Sequence, residues 1–95
     1  MAESRAAVAT DKAARYMTQL TKHWGHKFET RLDPTDAEIV LPAGVCRMHA
    51  EPQALQVTVV AADAETLPRL EEVVAKHLAR FAFREGELSF DWVRG

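Results

Sequence analysis

The period of the hydrophobic pattern changes repeatedly along the chain, and each period predicts one kind of element. In the first third, apolar residues recur at spacings of three and four, which is typical of a helix that buries one face. These residues are Ala13, Tyr16, Met17, Leu20 and Trp24. Thr10 and Asp11 suit the start of this helix, and Gly25 is predicted to end it as a left-handed C-terminal cap.

The middle of the chain alternates apolar and polar residues with a period of two, which predicts four short strands. The residues on their apolar face are Phe28, Thr30 and Leu32, then Ala37, Ile39 and Leu41, then Cys46, Met48 and Ala50, then Leu55, Val57 and Val59. Turns at 33–36 and 42–44 combine proline with other turn-forming residues. The pattern predicts an antiparallel meander with one apolar face.

A second helical pattern follows the strands. Its apolar stripe consists of Leu67, Leu70, Val74, Leu78 and Phe81. Asp63 suits the N-cap of this helix, but Pro68 removes a backbone donor. We therefore expect either an irregular first turn or a regular helix that begins nearer Leu67.

Two further strands are predicted at the ends of the chain. Residues 3–9 alternate loosely and predict a short strand at best, whereas Leu88, Phe90 and Trp92 predict a final strand after a turn at Glu85-Gly86. Two amphipathic helices need one shared apolar surface, which an antiparallel sheet supplies. We predict one α+β domain over residues 1–95, a two-layer sandwich of five to six antiparallel strands with both helices on one face. The residues predicted to dominate its core are Trp24, Phe28, Phe81, Phe90 and Trp92.

Composition and charge exclude several classes of function. Apolar residues make up 47% of the chain, charged residues 27%, and the net charge is −2. No basic stripe is present, so we predict no binding to nucleic acid, and no apolar run is long enough for a membrane span. Cys46 is the single cysteine and lies at an inward position, which indicates a core residue rather than a nucleophile. We expect a cytoplasmic protein.

Three of the four histidines lie near the ends of the predicted helices and form the first candidate site. We predict a ligand or metal site built from His23, His26 and His77, with Trp24 and Arg80 beside it. Structural roles compete with this prediction, because His77 suits a core histidine bonded to a backbone carbonyl and His23 suits the negative end of a helix dipole. The H-x-x-H spacing is a poor zinc motif here, because the glycine between the two histidines interrupts the helix.

The solvent face of the sheet is the second candidate site. It is predicted to mix valines with charged residues, which is typical of ordinary exposure and also of a modest dimer interface. The candidate interface residues are Arg31, Val40, Arg47 and Val60. Homodimerisation or docking of a partner is the corresponding function.

The two histidine-bearing segments, residues 15–27 and 77–85, together with Phe90-Asp91-Trp92, resemble a bacterial family of small proteins called domain of unknown function 2218. The resemblance extends over the whole chain, although Thr21 stands where the family often has cysteine and Pro68 where it usually has a helix former. Some relatives resemble appendages of siderophore-interacting flavin reductases. The resemblance thus implies an association with iron or siderophores and a reductase of that kind as a partner.

We therefore rank three functions. A small binding module with its site at the helix ends comes first, and a dimerising or docking domain comes second. Catalysis ranks third, with His77 as a general base near Tyr16 or Arg80, because no spacing in the sequence requires it. The sequence leaves the identity of any cofactor open.

Overall fold

A computed structural model describes residues 1–82 and 88–95 of the chain. Its elements are β1 (Ala2–Ala9), α1 (Ala13–Trp24), β2 (Thr30–Leu32), β3 (Asp36–Leu41), β4 (Gly44–Ala50), β5 (Ala54–Ala61), α2 (Leu67–Phe81) and β6 (Val93–Arg94). The six strands form one sheet in the order β2-β3-β4-β5-β1-β6, and every neighbouring pair is antiparallel. The predicted α+β architecture is confirmed.

Both helices cover the same face of the sheet. Alternate residues of the strands are buried, α1 and α2 contact each other, and both helices contact β5. The residues that fill the centre of the resulting layer are Val8, Met17, Leu20, Ile39, Leu55, Val57, Val59, Leu67, Leu70, Val74 and Leu78. No helix of the described residues covers the opposite face of the sheet, which presents the polar half of the alternating pattern.

The N-terminal strand is longer and more central than its sequence suggested. All eight residues of β1 pair with β5, and β6 pairs with its other edge only through Ser4 and Arg5. The alternation in this segment is weak because alanine occupies the inward Ala6 as well as the outward Ala7. A small residue gives little periodic signal, yet it suits a position where the helices approach the sheet closely.

The predicted aromatic core is largely wrong. Trp24 is buried, but the other four aromatic residues assigned to the core are only partly buried and pack against its margin: Phe28, Phe81, Phe90 and Trp92. The inward strand positions already fill the centre with aliphatic side chains. Of the predicted final strand only Val93–Arg94 forms, Phe90 and Trp92 stack on each other before it, and the predicted Glu85-Gly86 turn lies outside the described residues.

The helix boundaries also differ in detail from those predicted. Helix α1 begins at Ala13, so Thr10 caps the preceding turn by accepting a hydrogen bond from the Lys12 amide at 3.1 Å. Gly25 is right-handed (φ −62°, ψ −17°) rather than left-handed. The reason is that the chain continues in a further turn, in which the Phe28 amide donates to the Trp24 carbonyl at 2.9 Å.

Helix α2 begins at Leu67, the later of the two starts considered. Pro68 therefore lies in the first turn, where a helix needs no backbone donor. Asp63 does not cap the helix itself; its carboxylate accepts hydrogen bonds from the amide and hydroxyl of Thr66 at 2.9 and 2.7 Å. These bonds lower the pKa of Asp63 and stabilise the turn that leads into the helix.

A partly buried ion pair, in which Glu71 is buried and Arg94 is half exposed, fastens the last strand to α2. The Arg94 guanidinium donates two hydrogen bonds to the Glu71 carboxylate, at 3.1 and 2.8 Å, and the Glu71 side chain is only 9% exposed. Arg94 lowers the pKa of Glu71; burial acts in the opposite direction, and the Ser4 hydroxyl lowers the pKa further. Because β6 has only two residues, this pair supplies much of what holds the strand in place.

We predict that acid removes the contribution of this ion pair. A carboxylate whose pKa is lower in the folded state stabilises the fold above its unfolded pKa of about 4.5, and this stabilisation is lost as the pH falls through the folded value. Urea unfolding at pH 7 should show Glu71→Gln to be less stable by about 1.5–3 kcal/mol. The difference from the unmodified protein should shrink below pH 4.5, and a difference that stays constant down to pH 3 would contradict the prediction.

The matched control is Glu72→Gln in the next position. Glu72 pairs with Lys76 at 2.7 Å on the exposed side of α2. An exposed i,i+4 pair contributes only about 0.2–0.5 kcal/mol, so this variant should lose far less stability.

Gly44 begins β4 at a point where the backbone of β5 leaves no room for a side chain. A Cβ atom at this position would lie 2.1 Å from the Val60 carbonyl oxygen and 2.9 Å from Cδ2 of Leu70. The first contact is with backbone, which cannot move without disturbing the β4–β5 pairing. Glycine is therefore required here by close packing between neighbouring strands.

We expect Gly44→Ala to destabilise the protein by about 1–3 kcal/mol or more, because the added methyl group forces the two strands apart. The free energy of unfolding in urea measures this effect. Gly95→Ala is the matched control, since a Cβ atom there meets no atom within 4 Å. Equal stability of the two variants would show that the strands absorb the methyl group.

Candidate functional site

The C-terminal ends of α1 and α2 meet and bring four rings together, which we call the helix-end cluster: His23, Trp24, His77 and Phe81. The imidazole of His77 lies 4.7 Å from the Trp24 ring and 5.5 Å from the His23 ring, centroid to centroid. His23 also meets Phe81 edge-on at 6.1 Å. The sequence alone could not show whether these rings meet. The packing of the two helices brings together His23, Trp24 and His77.

The hydrogen bond made by His77 fixes the role of its second nitrogen. Nδ1 of the half-buried ring lies 2.7 Å from the Val73 carbonyl oxygen, one turn earlier in α2. A carbonyl oxygen can only accept, so Nδ1 donates the hydrogen bond and Nε2 is the nitrogen left for a ligand. The bond is the one expected of a core histidine, and it is also the bond that orients histidines that bind metals.

His23 places a second, exposed imidazole beside the His77 ring. Two imidazoles bound to one tetrahedral ion have ring centroids about 5–5.5 Å apart, given metal–nitrogen bonds of about 2.0–2.1 Å. The observed separation of 5.5 Å is of this size. The pair therefore has the spacing needed to share a ligand atom or ion, and the Trp24 ring packs against His77.

The other two predicted site residues do not join this cluster. His26 lies exposed in the turn after α1, and Arg80 is exposed in the last turn of α2. Within residues 1–82 and 88–95, no three side chains of histidine, cysteine, aspartate or glutamate are grouped as they would be around a metal ion. The structure thus brings together two of the three predicted histidines, because the turn at Gly25 carries His26 away from the helical register of His23.

A groove adjoins the cluster at Trp24. Its volume is about 480 Å³, and it lies between the end of α1, the β3–β4 turn and the first half of α2. The residues that line it are Trp24, Phe28, Leu41, Pro42, Ala43, Arg69, Leu70 and Val73. Sequence reasoning missed this groove, although an apolar turn at Pro42-Ala43 was a signal, since turns are usually polar.

The solvent face of the sheet carries a charged row beside a row of valines. Glu38 lies 3.0 Å from Arg47 and 3.8 Å from Arg31 across neighbouring strands. The valines are Val40, which is 40% exposed, and the half-buried Val45 and Val60; they are direct neighbours across β3, β4 and β5. All four predicted interface residues lie on this face.

Two further titratable groups have structural roles. His49 lies 2.9 Å from Asp36 at the edge of the solvent face, and this hydrogen bond lowers the pKa of Asp36. Burial raises the pKa of the Cys46 thiol to about 12, so the thiol stays protonated and unreactive. The prediction that Cys46 is a core residue is confirmed by its complete burial.

Fold and site together define a class of small α+β protein in which two helices cover one face of a six-stranded antiparallel sheet and join their ends in a histidine-bearing cluster. The chain belongs to the family described as uncharacterized proteins conserved in bacteria (DUF2218), whose model matches residues 5–93. The predicted family resemblance is thereby confirmed.

The chain is also similar to a solved structure, the NMR structure of PA4090 from Pseudomonas aeruginosa. The two share 35% sequence identity and superpose with a TM-score of 0.79, over 100% of this chain and 96% of the other. No curated protein matches the chain. In the described residues, neither helix combines the length and the apolar character that crossing a membrane requires.

Proposed function

We propose that this protein is a small binding module whose helix-end cluster takes up a transition-metal ion through His23 and His77. The observation that carries the proposal is the bond from His77 Nδ1 to the Val73 carbonyl, which fixes the ring and leaves Nε2 as the nitrogen available to a ligand. The separation of 5.5 Å from the His23 ring supports a shared ion.

Two nitrogens fill only half of a tetrahedral coordination sphere, so the proposed ion arrives with other ligands attached. Imidazole suits copper, zinc, nickel and iron. A ferric ion already surrounded by siderophore oxygens offers no open position to a histidine. The iron association implied by the family resemblance therefore points to ferrous iron, the product that a siderophore-related reductase partner would release.

The test is calorimetric titration with Cu²⁺ and Zn²⁺ as iminodiacetate complexes, and with Fe²⁺ in the absence of oxygen. Iminodiacetate occupies three positions and leaves the rest for histidines. We expect one equivalent of at least one of these metals to bind. The variants His23→Phe and His77→Phe keep the ring packing, and each should weaken metal binding at least tenfold.

His49→Phe is the matched control, because His49 is exposed on the other face of the sheet. His26→Phe should also leave binding unchanged. If His26→Phe lost a comparable amount of metal affinity, the three-histidine site predicted from the sequence would be favoured over the pair. Unchanged metal binding in the His23→Phe/His77→Phe double variant would exclude the helix-end cluster as the binding site.

The solvent face of the sheet supports a second candidate function, self-association of two copies. A twofold axis parallel to the strands, running between β3 and β4, would place Glu38 opposite Arg47 of the second copy and Val40 opposite its Val45. In the sheet, Glu38 is the cross-strand partner of Arg47, and Val40 is the cross-strand partner of Val45. The rotation therefore brings opposite charges together and places valine on valine, so the surface is complementary to its own copy.

Light scattering over a range of protein concentrations tests this candidate. We expect a dimer that Val60→Asp or Arg47→Glu converts to a monomer, because either change places an unmatched charge in the interface. Ala64→Asp, which adds the same charge in the exposed loop before α2, is the control. A monomeric mass for the unmodified protein at all concentrations would refute self-association.

A further inference from the structure

The groove beside Trp24 has the dimensions and lining of a small-molecule site. Its volume of about 480 Å³ lies within the range of 300–1,000 Å³ that is usual for ligand pockets. Trp24 and Phe28 provide aromatic surface on one side, and Leu70 and Val73 provide aliphatic surface on the other. His77 packs against Trp24, but neither histidine of the pair forms part of this lining.

One positive charge stands at the edge of this apolar surface. Arg69 is the charged residue in the lining, and no ion pair engages its guanidinium in the part of the chain that the structure describes. Glu72, which interacts electrostatically with Arg69, bonds to Lys76 at 2.7 Å. Arg69 also lies near the start of α2, whose first turn holds no acidic residue, so the helix dipole adds to the positive potential.

We propose that this groove binds a small aromatic monocarboxylic acid. The carboxylate would pair with Arg69, whose planar guanidinium can donate two parallel hydrogen bonds to it. The ring would lie against Trp24 and Leu70, where its burial and its contact with the indole supply the affinity. A single carboxylate is favoured because the lining offers one cation, and a second charge would be buried without a partner.

This site is separate from the proposed metal site, although Trp24 contributes to both. Binding of the acid requires no metal, so it is measured in the presence of EDTA. The two proposals can therefore fail independently of each other.

The experiment is a calorimetric titration with 2-naphthoate and with its neutral analogue 2-naphthamide. We expect naphthoate to bind at least tenfold more tightly than the amide. Arg69→Gln should abolish this preference by weakening naphthoate binding and leaving amide binding unchanged. Arg80→Gln is the matched control, since Arg80 lies exposed at the opposite end of the same helix.

Location is tested by NMR in a Trp92→Phe background, where Trp24 is the single tryptophan. Naphthoate should shift the Trp24 indole N–H resonance, and Ala43→Leu, which fills the groove, should prevent binding of both probes. The His23→Phe/His77→Phe variant should bind naphthoate as the unmodified protein does.

Three results would overturn the proposal: no binding of naphthoate at millimolar concentration, equal affinity in Arg69→Gln, or shifts that leave the Trp24 resonance unmoved. The circular dichroism spectrum of each variant shows whether it is folded. Loss of naphthoate binding in the double histidine variant would refute the separation of the two sites.

Discussion

The pairing of β1 with β5 is the interaction on which the rest of the structure depends. All eight residues of β1 take part, and the partners are separated by about half of the chain. Closing so long a loop costs conformational entropy, which the ladder and the apolar face beneath it must offset. Once β1 is added to the β2–β5 meander, the sheet is wide enough to carry two helices side by side, and α2 contacts both β1 and β5.

The helix-end cluster follows from this arrangement. Each helix lies on the sheet through aliphatic residues, such as Leu20 in α1 and Leu78 in α2, which are fully buried. That packing sets how the helices meet, and hence which of their final turns come into contact. His23 and Trp24 on one helix and His77 on the other then share a corner of the molecule, whereas the groove opens where α1, the β3–β4 turn and α2 diverge.

The elements that were predicted well are those whose signal is local. The strong 3.6-residue stripe of each helix and the alternation in β3, β4 and β5 depend on neighbours a few positions away, so the sequence displays them directly. The failures concern competition between distant residues. Phe90 and Trp92 have a strand-like pattern, but only Val93–Arg94 pair with β1, and these two aromatic rings stack on each other at the margin of a core that aliphatic side chains already fill.

By itself, the sequence determined the class of fold, the number of helices, the apolar faces and the inward position of Cys46, because hydrophobic periodicity records which side of an element is buried. Only the tertiary structure decided that His23 meets His77 while His26 does not, that Val73 fixes the tautomer of His77, and that Arg69 stands beside an apolar groove. A site depends on distances between atoms far apart in the chain, and those distances are set by helix packing on the sheet rather than by any local pattern.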